Sequence, residues 1–182
     1  PRAQGQRAAR TAGAPLPVNG ATTRTALYGS ALLVVVLLAG LLWYLAPLRP
    51  SALSLQFAAT PQAFGAIVHT WPPEHLERYR LHLLIDGALL LAYGVFGYLF
   101  ATRQGLMAHW RPRLRTAVAW LLPLAAASDA TENALHWWLT EVPRFGVPQV
   151  YSAAFAAVAL KWALCMAFVL AVVAAAATQP DE

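Results

Sequence analysis

Four polar side chains, Asp129, Glu132, Asn133 and His136, stand at offsets 0, 3, 4 and 7 in an otherwise apolar stretch. On a helix, at about 100° per residue, they share one arc of roughly 100° and face one place. Upstream, His82, Asp86 and Tyr93 fall at offsets 0, 4 and 11, again one stripe, and Lys161 sits in a further apolar run. Several chemistries compete for such a set. His82, Asp86, Glu132 and His136, with Asp129 as a fifth donor, make a two-His, multi-carboxylate group suited to zinc, iron or manganese, although the spacing matches no zincin or di-iron signature. Asp86, Glu132 and His136 are candidates for acid–base catalysis. His136, followed by Trp137 and Trp138, is a candidate haem or pigment ligand. The fourth reading is structural: a satisfied polar network that holds helices together. No cofactor is specified by any motif, and on balance the residues read as a network without a metal. Cys165, alone in an apolar run, reads as a small buried hydrophobe.

The elements that carry these residues are apolar enough to need lipid. Of the 182 residues 59% are hydrophobic and 12% charged, about half the charge of an ordinary soluble domain. Four runs are long enough to cross ~30 Å of hydrocarbon at 1.5 Å per residue: 25–46, 81–101, 116–139 and 150–178. The expected fold is therefore an all-α membrane protein, an up-down bundle of four transmembrane helices. Between the first two runs, Thr60 reads as an N-cap with Pro61 at the first helical position. Phe64, Ile67, Val68 and Trp71 follow at helical spacing, predicting a short interfacial helix over 60–71; a loop packed on the mouth of the bundle is the alternative. Pro123 is expected to kink the third helix, and Gly87, Gly94 and Gly97 to allow close approach of the second. Residues 1–24, with Arg2, Arg7, Arg10 and Arg24 and no acid, read as a disordered basic arm of transit-peptide-like composition. Residues 179–182 are a short tail.

Orientation follows from arginine. The segment between the second and third runs holds Arg103, Arg111, Arg113 and Arg115 without an acid, whereas segments 47–80 and 140–149 mix Arg49, Arg78, Arg80 and Arg144 with Glu74, Glu77 and Glu141. The acid-free side is expected in the cytoplasm with both termini. The net charge of +5 is thus a topology signal with attraction to anionic lipid as a secondary effect, not a nucleic-acid footprint. With that topology Asp86 lies ~8 Å below the outer helix ends, Glu132 ~10 Å and His136 ~5 Å, while Asp129 and Lys161 both lie ~15 Å down. The stripes match in depth, Asp86 is expected against Asn133 or Glu132, and Lys161 against Asp129, because an unpaired charge at the midplane is costly.

The segments LQFAATPQAFGAIVHTW, LIDGALLLAYG and LAAASDATENAL resemble a group of small bacterial four-helix integral membrane proteins of unassigned function. The resemblance covers about residues 53–137 and rests on Thr60, Pro61, Trp71, Asp86, Tyr93, Asp129, Glu132 and Asn133. It implies the topology and the choice of landmarks only, and it does not extend to His82 or His136; the expected location is the bacterial inner membrane.

Two functional classes remain. With no nucleotide or nucleophile motif, the first is a non-enzymatic accessory subunit or assembly factor whose partners are membrane lipids and other membrane-protein subunits. The alternative is a membrane enzyme or transporter-like protein acting on a lipid or lipophilic small molecule through Asp86, Asp129, Glu132 and His136. A sealed cluster favours the first, and a cleft leading to it the second.

Overall fold

The computed structural model of the chain describes residues 20–142 and 144–179. Among these the fold is all-helical: α1 (Gly20–Leu45), α2 (Ala52–Gln56), α3 (Pro61–Thr70), α4 (Pro73–Arg103), α5 (Pro112–Ala119), α6 (Leu121–Glu141) and α7 (Pro148–Ala177). Among the described residues three helices are long and apolar enough to cross a membrane, over Arg24–Leu45, Pro73–Arg103 and Pro148–Ala177. Helix α6 is long but carries Asp129, Glu132 and Glu141. It packs against both α4 and α7, and α1 packs against α4.

Several boundaries differ from those expected, each for a local reason. Helix α1 starts at Gly20, so the last five residues of the expected arm are helical; the rest of that arm, and residues 180–182 of the tail, lie outside the described residues. Helix α4 starts eight residues early, at Pro73, because proline lacks the N–H that the first turn leaves unsatisfied and Glu74 suits the positive end of the helix dipole. The third run is two helices rather than one. Pro123 cannot donate to the Ala119 carbonyl and its ring crowds that group, so the backbone turns at Trp120, where α5 ends and α6 begins. Helix α2 was not expected; Ser51 caps it by accepting from the Ser54 N–H.

Helix α3 forms where expected, with Thr60 Oγ1 accepting from the Ala63 N–H at 3.2 Å. It is folded onto the bundle rather than set apart from it. Phe64 and Trp71 are buried in one core with Leu48, Leu55, Tyr79, Leu139 and Tyr151. A second core, built on Ala101, Met107, Ala119, Leu122 and Phe168, closes the opposite end. Along α6 and α7 the polar residues fall between these two cores, at positions where an unmatched polar group has no water to turn to.

The helix contacts are uneven. A Cβ at Gly97 would lie 2.5 Å from Leu122 Cβ, so this glycine lets α4 and α6 meet. At Gly94 the nearest atoms are 3.5 Å and 3.7 Å away, an ordinary contact. Gly87 has nothing within 4 Å, which corrects its expected part in close approach.

Candidate functional site

The centre of the site is Lys161, on α7, buried at 7% exposure. Its Nζ donates to Asp129 Oδ1 at 2.9 Å and to Glu132 Oε2 at 2.5 Å. The two acids are three apart on α6, so one ammonium reaches both, and it bonds Glu132 in addition to the expected Asp129. Tyr93 of α4 donates to the other Asp129 oxygen at 3.2 Å. Three helices are thereby joined by charge-assisted bonds, the strongest kind available to side chains. Ser128, one residue before Asp129, adds a bond to the Ala157 carbonyl of α7 at 2.9 Å.

Nearer the α3 end, Asn133 Nδ2 donates to Asp86 Oδ2 at 2.8 Å. This brings the α4 carboxyl to the α6 stripe, at the residue after Glu132 and one helical turn from Asp129. His136, 1% exposed, shares a hydrogen bond of 2.7 Å between its Nδ1 and the Tyr79 hydroxyl. Glu132 Oε1 is 3.9 Å from the same Nδ1, beyond hydrogen-bond range, and has no hydrogen-bond partner although Glu132 is fully buried. His82 Nδ1–H donates to the Tyr79 carbonyl, and its ring lies tilted against the Tyr79 ring with centroids 4.6 Å apart. His82 thus belongs to the wall of the site and forms no side-chain hydrogen bond to the carboxyls.

Tyr79 is the residue that sequence reasoning missed. It is fully buried, binds His136 and touches His82 and Trp71. It continues the α4 stripe at three residues before His82 and seven before Asp86. Placing the helix start at 81 hid it, and the Pro72-Pro73-Glu74 start signal was the means of finding it.

The α3 cap closes this end. Phe64 packs edge-on against His136 at 5.4 Å and against Tyr151 at 5.2 Å. Trp71 lies over Tyr79 at 5.1 Å and donates from its indole nitrogen to the Pro50 carbonyl at 2.8 Å. Two concavities lie nearby. A small one of about 110 Å³ runs between α3 and the C-terminal end of α6, past Phe64, Thr140 and Phe145. A larger groove of about 480 Å³ lies between α4 and α6, past Gly94 and Pro123. Neither is lined by Asp129, Glu132, His136 or Lys161.

Among the described residues no three His, Cys, Asp or Glu side chains are grouped as a metal site. The four candidate ligands instead divide among separate partners: His82 to a carbonyl, Asp86 to Asn133, Glu132 to Lys161 and His136 to Tyr79. For haem or pigment ligation His136 would have to turn away from Phe64 and Tyr79, which enclose it.

Comparison with family models, with curated proteins and with solved structures returned no match for this chain.

Proposed function

We propose that this protein is a non-enzymatic accessory subunit or assembly factor of a larger membrane complex, built as a four-span bundle with its polar cluster serving as internal cement. One observation carries the reading. The charged cluster is closed on itself, while large apolar side chains are left outside: Leu32, Val35, Leu42 and Trp43 on α1, and Leu160, Met166, Leu170 and Val173 on α7 are all about half exposed or more. Part of that surface suits lipid, and part suits partner helices.

The four-span reading draws support from arginine–aromatic pairs at one end of the bundle. Arg78 lies over Tyr44, Arg80 over Trp137 and Arg144 over Trp138, each within 4.9 Å of the ring centroid. Such amphipathic pairs suit a membrane interface. From Arg80 to Arg103 along α4 is roughly 35 Å, and a similar rise separates Trp137 from Arg115 along α6 and α5; both match the hydrocarbon core plus its borders. The positive-inside rule then puts the 103–115 segment and both termini in the cytoplasm, with the bacterial inner membrane as the expected location. Helix α3 would lie at the outer face, as a lid on the bundle.

A second reading has one observation behind it. Glu132 Oε1 is a buried carboxyl oxygen without a partner, next to the Tyr79–His136 pair, and such atoms cluster at working sites. An enzyme or transporter-like protein would use Asp86, Glu132 and His136 there. The two readings are separated by extraction of the native protein in mild detergent, followed by measurement of particle mass. An accessory subunit travels in a particle well above its own 19.6 kDa with fixed stoichiometric partners. A free monomer of defined mass would favour the second reading.

A further inference from the structure

The groove between α4 and α6 has the shape and surroundings of a lipid seat. Its walls are Leu90, Gly94 and Tyr98 on one side and Trp120, Pro123 and Ala126 on the other. Gly94 presents no side chain, and a Cβ there would lie 3.5 Å from Ala126 Cβ and 3.7 Å from Pro123 Cα, so α4 and α6 meet along the floor of the groove. From Leu90 to Leu99 it runs roughly 14 Å along α4, which is close to the ~15 Å depth of one leaflet's hydrocarbon. The lining is apolar except for the Tyr98 hydroxyl and the Trp120 indole, and these two rings meet edge-on at 5.8 Å at one end of the groove.

That end is the one beneath the arginines. Arg103 lies five residues past Tyr98, and Arg115 five residues before Trp120, each roughly 7 Å of helix beyond the groove. Arg103, Arg111 and Arg113 are exposed. Among the described residues none of these four arginines makes an ion pair. An apolar channel one leaflet deep that ends under unpaired guanidinium groups is complementary to a molecule with a hydrocarbon tail and an anionic head.

We propose that the α4–α6 groove seats one acyl chain of an anionic phospholipid, with its phosphate on Arg103, Arg111 and Arg113, in the leaflet on the side of that segment. Guanidinium forks suit phosphate oxygens. The proposal rests on α4 and α6 being membrane spans, and it adds a defined ligand seat to that reading.

The test is native mass spectrometry of the full chain in detergent, titrated separately with palmitoyl-oleoyl phosphatidylglycerol and with the matching phosphatidylcholine. Each arginine near an anionic head contributes about 1 kcal/mol, or about fivefold. The wild type should therefore prefer phosphatidylglycerol by about tenfold or more. The combined Arg103→Gln, Arg111→Gln and Arg113→Gln variant should lose that preference while still binding phosphatidylcholine. Ala126→Phe and Val95→Trp, which fill the groove, should weaken binding of both lipids. Val95 is about half exposed, so its variant keeps the fold if Ala126→Phe does not. Equal binding of the two lipids by the wild type would overturn the proposal, as would groove-filled variants that bind phosphatidylglycerol normally, since that pattern means surface attraction alone. Retention of the chain in alkali-washed membranes is scored on the same preparations. Its loss removes the membrane reading itself, whereas retention without headgroup preference removes only the lipid seat.

Discussion

At the scale of single residues, the balance of the Lys161 triad decides what substitutions do. Lys161 faces two carboxyls, so removing the ammonium leaves Glu132 without its donor and Asp129 with Tyr93 alone in a buried site. Lys161→Met should therefore destabilise the bundle by about 3–5 kcal/mol, the usual result of breaking one side of a buried ion pair. Glu132→Gln should be mild, because the amide keeps an acceptor for Lys161 and Asp129 still bonds the ammonium. Glu132→Leu should cost about 1–3 kcal/mol more than Gln, for the donor left unmatched. Unfolding in mixed detergent micelles ranks the three. A Leu variant as stable as Gln would mean that Glu132 is held under strain rather than satisfied. Tyr79→Phe removes the one hydroxyl on His136 and should lower stability by about 1–3 kcal/mol through the buried Nδ1 left behind. Most of this site was legible in the sequence, since stripe and depth arguments bring Asp86 to Asn133 and Lys161 to Asp129. Which oxygen meets which donor was not, because side-chain reach between helices depends on packing that periodicity does not encode. The orphaned Glu132 oxygen and the Tyr79–His136 bond both belong to that class.

At the scale of helices, the three glycines of α4 form an internal series. Their sequence context is alike, but their surroundings differ. Gly87→Ala meets open space and should stabilise the helix by up to about 1 kcal/mol, the propensity difference. Gly94→Ala makes ordinary contacts and should be near neutral. Gly97→Ala drives a methyl into Leu122 and should cost about 1–3 kcal/mol. Thermal midpoints of the three variants test the order; a neutral Gly97→Ala would mean that α4 and α6 are not packed this closely. The sequence marked all three as contact sites because small-residue spacing identifies a face but not the depth at which the neighbouring helix crosses it. The same limit applies to the third apolar run. Pro123 announced a kink, yet the spacing of the run does not say whether the lost bond to the Ala119 carbonyl bends one helix or ends it at Trp120. Helix α3 was legible from Thr60-Pro61 and the spacing of Phe64 and Trp71. Its burial on His136 and Tyr151 was not, since an apolar helix face suits a membrane surface and a bundle end equally well.

At the scale of the whole molecule, a buried polar cluster is wrapped in an apolar exterior. Two labelling sites test the orientation. In a Cys165→Ala background, a cysteine at Phe145, which is exposed at the Arg–Trp end, should react with an impermeant maleimide on intact cells. A cysteine at Ala108, in the acid-free segment, should react only after lysis; the reverse pattern inverts the topology. The most direct test of the central claim replaces the charged triad as a unit by Asp129→Leu, Glu132→Leu and Lys161→Met together. A buried ion triad exchanged for apolar groups of similar volume is often neutral or stabilising by about 1–4 kcal/mol, even where each single change is harmful. If the cluster is internal cement, the triple variant should melt at or above the wild-type midpoint, run in the same native particle, and support cell growth like the intact chain. A triple variant that folds and assembles normally, yet leaves cells indistinguishable from those lacking the protein, would contradict the account and assign the cluster a chemical task.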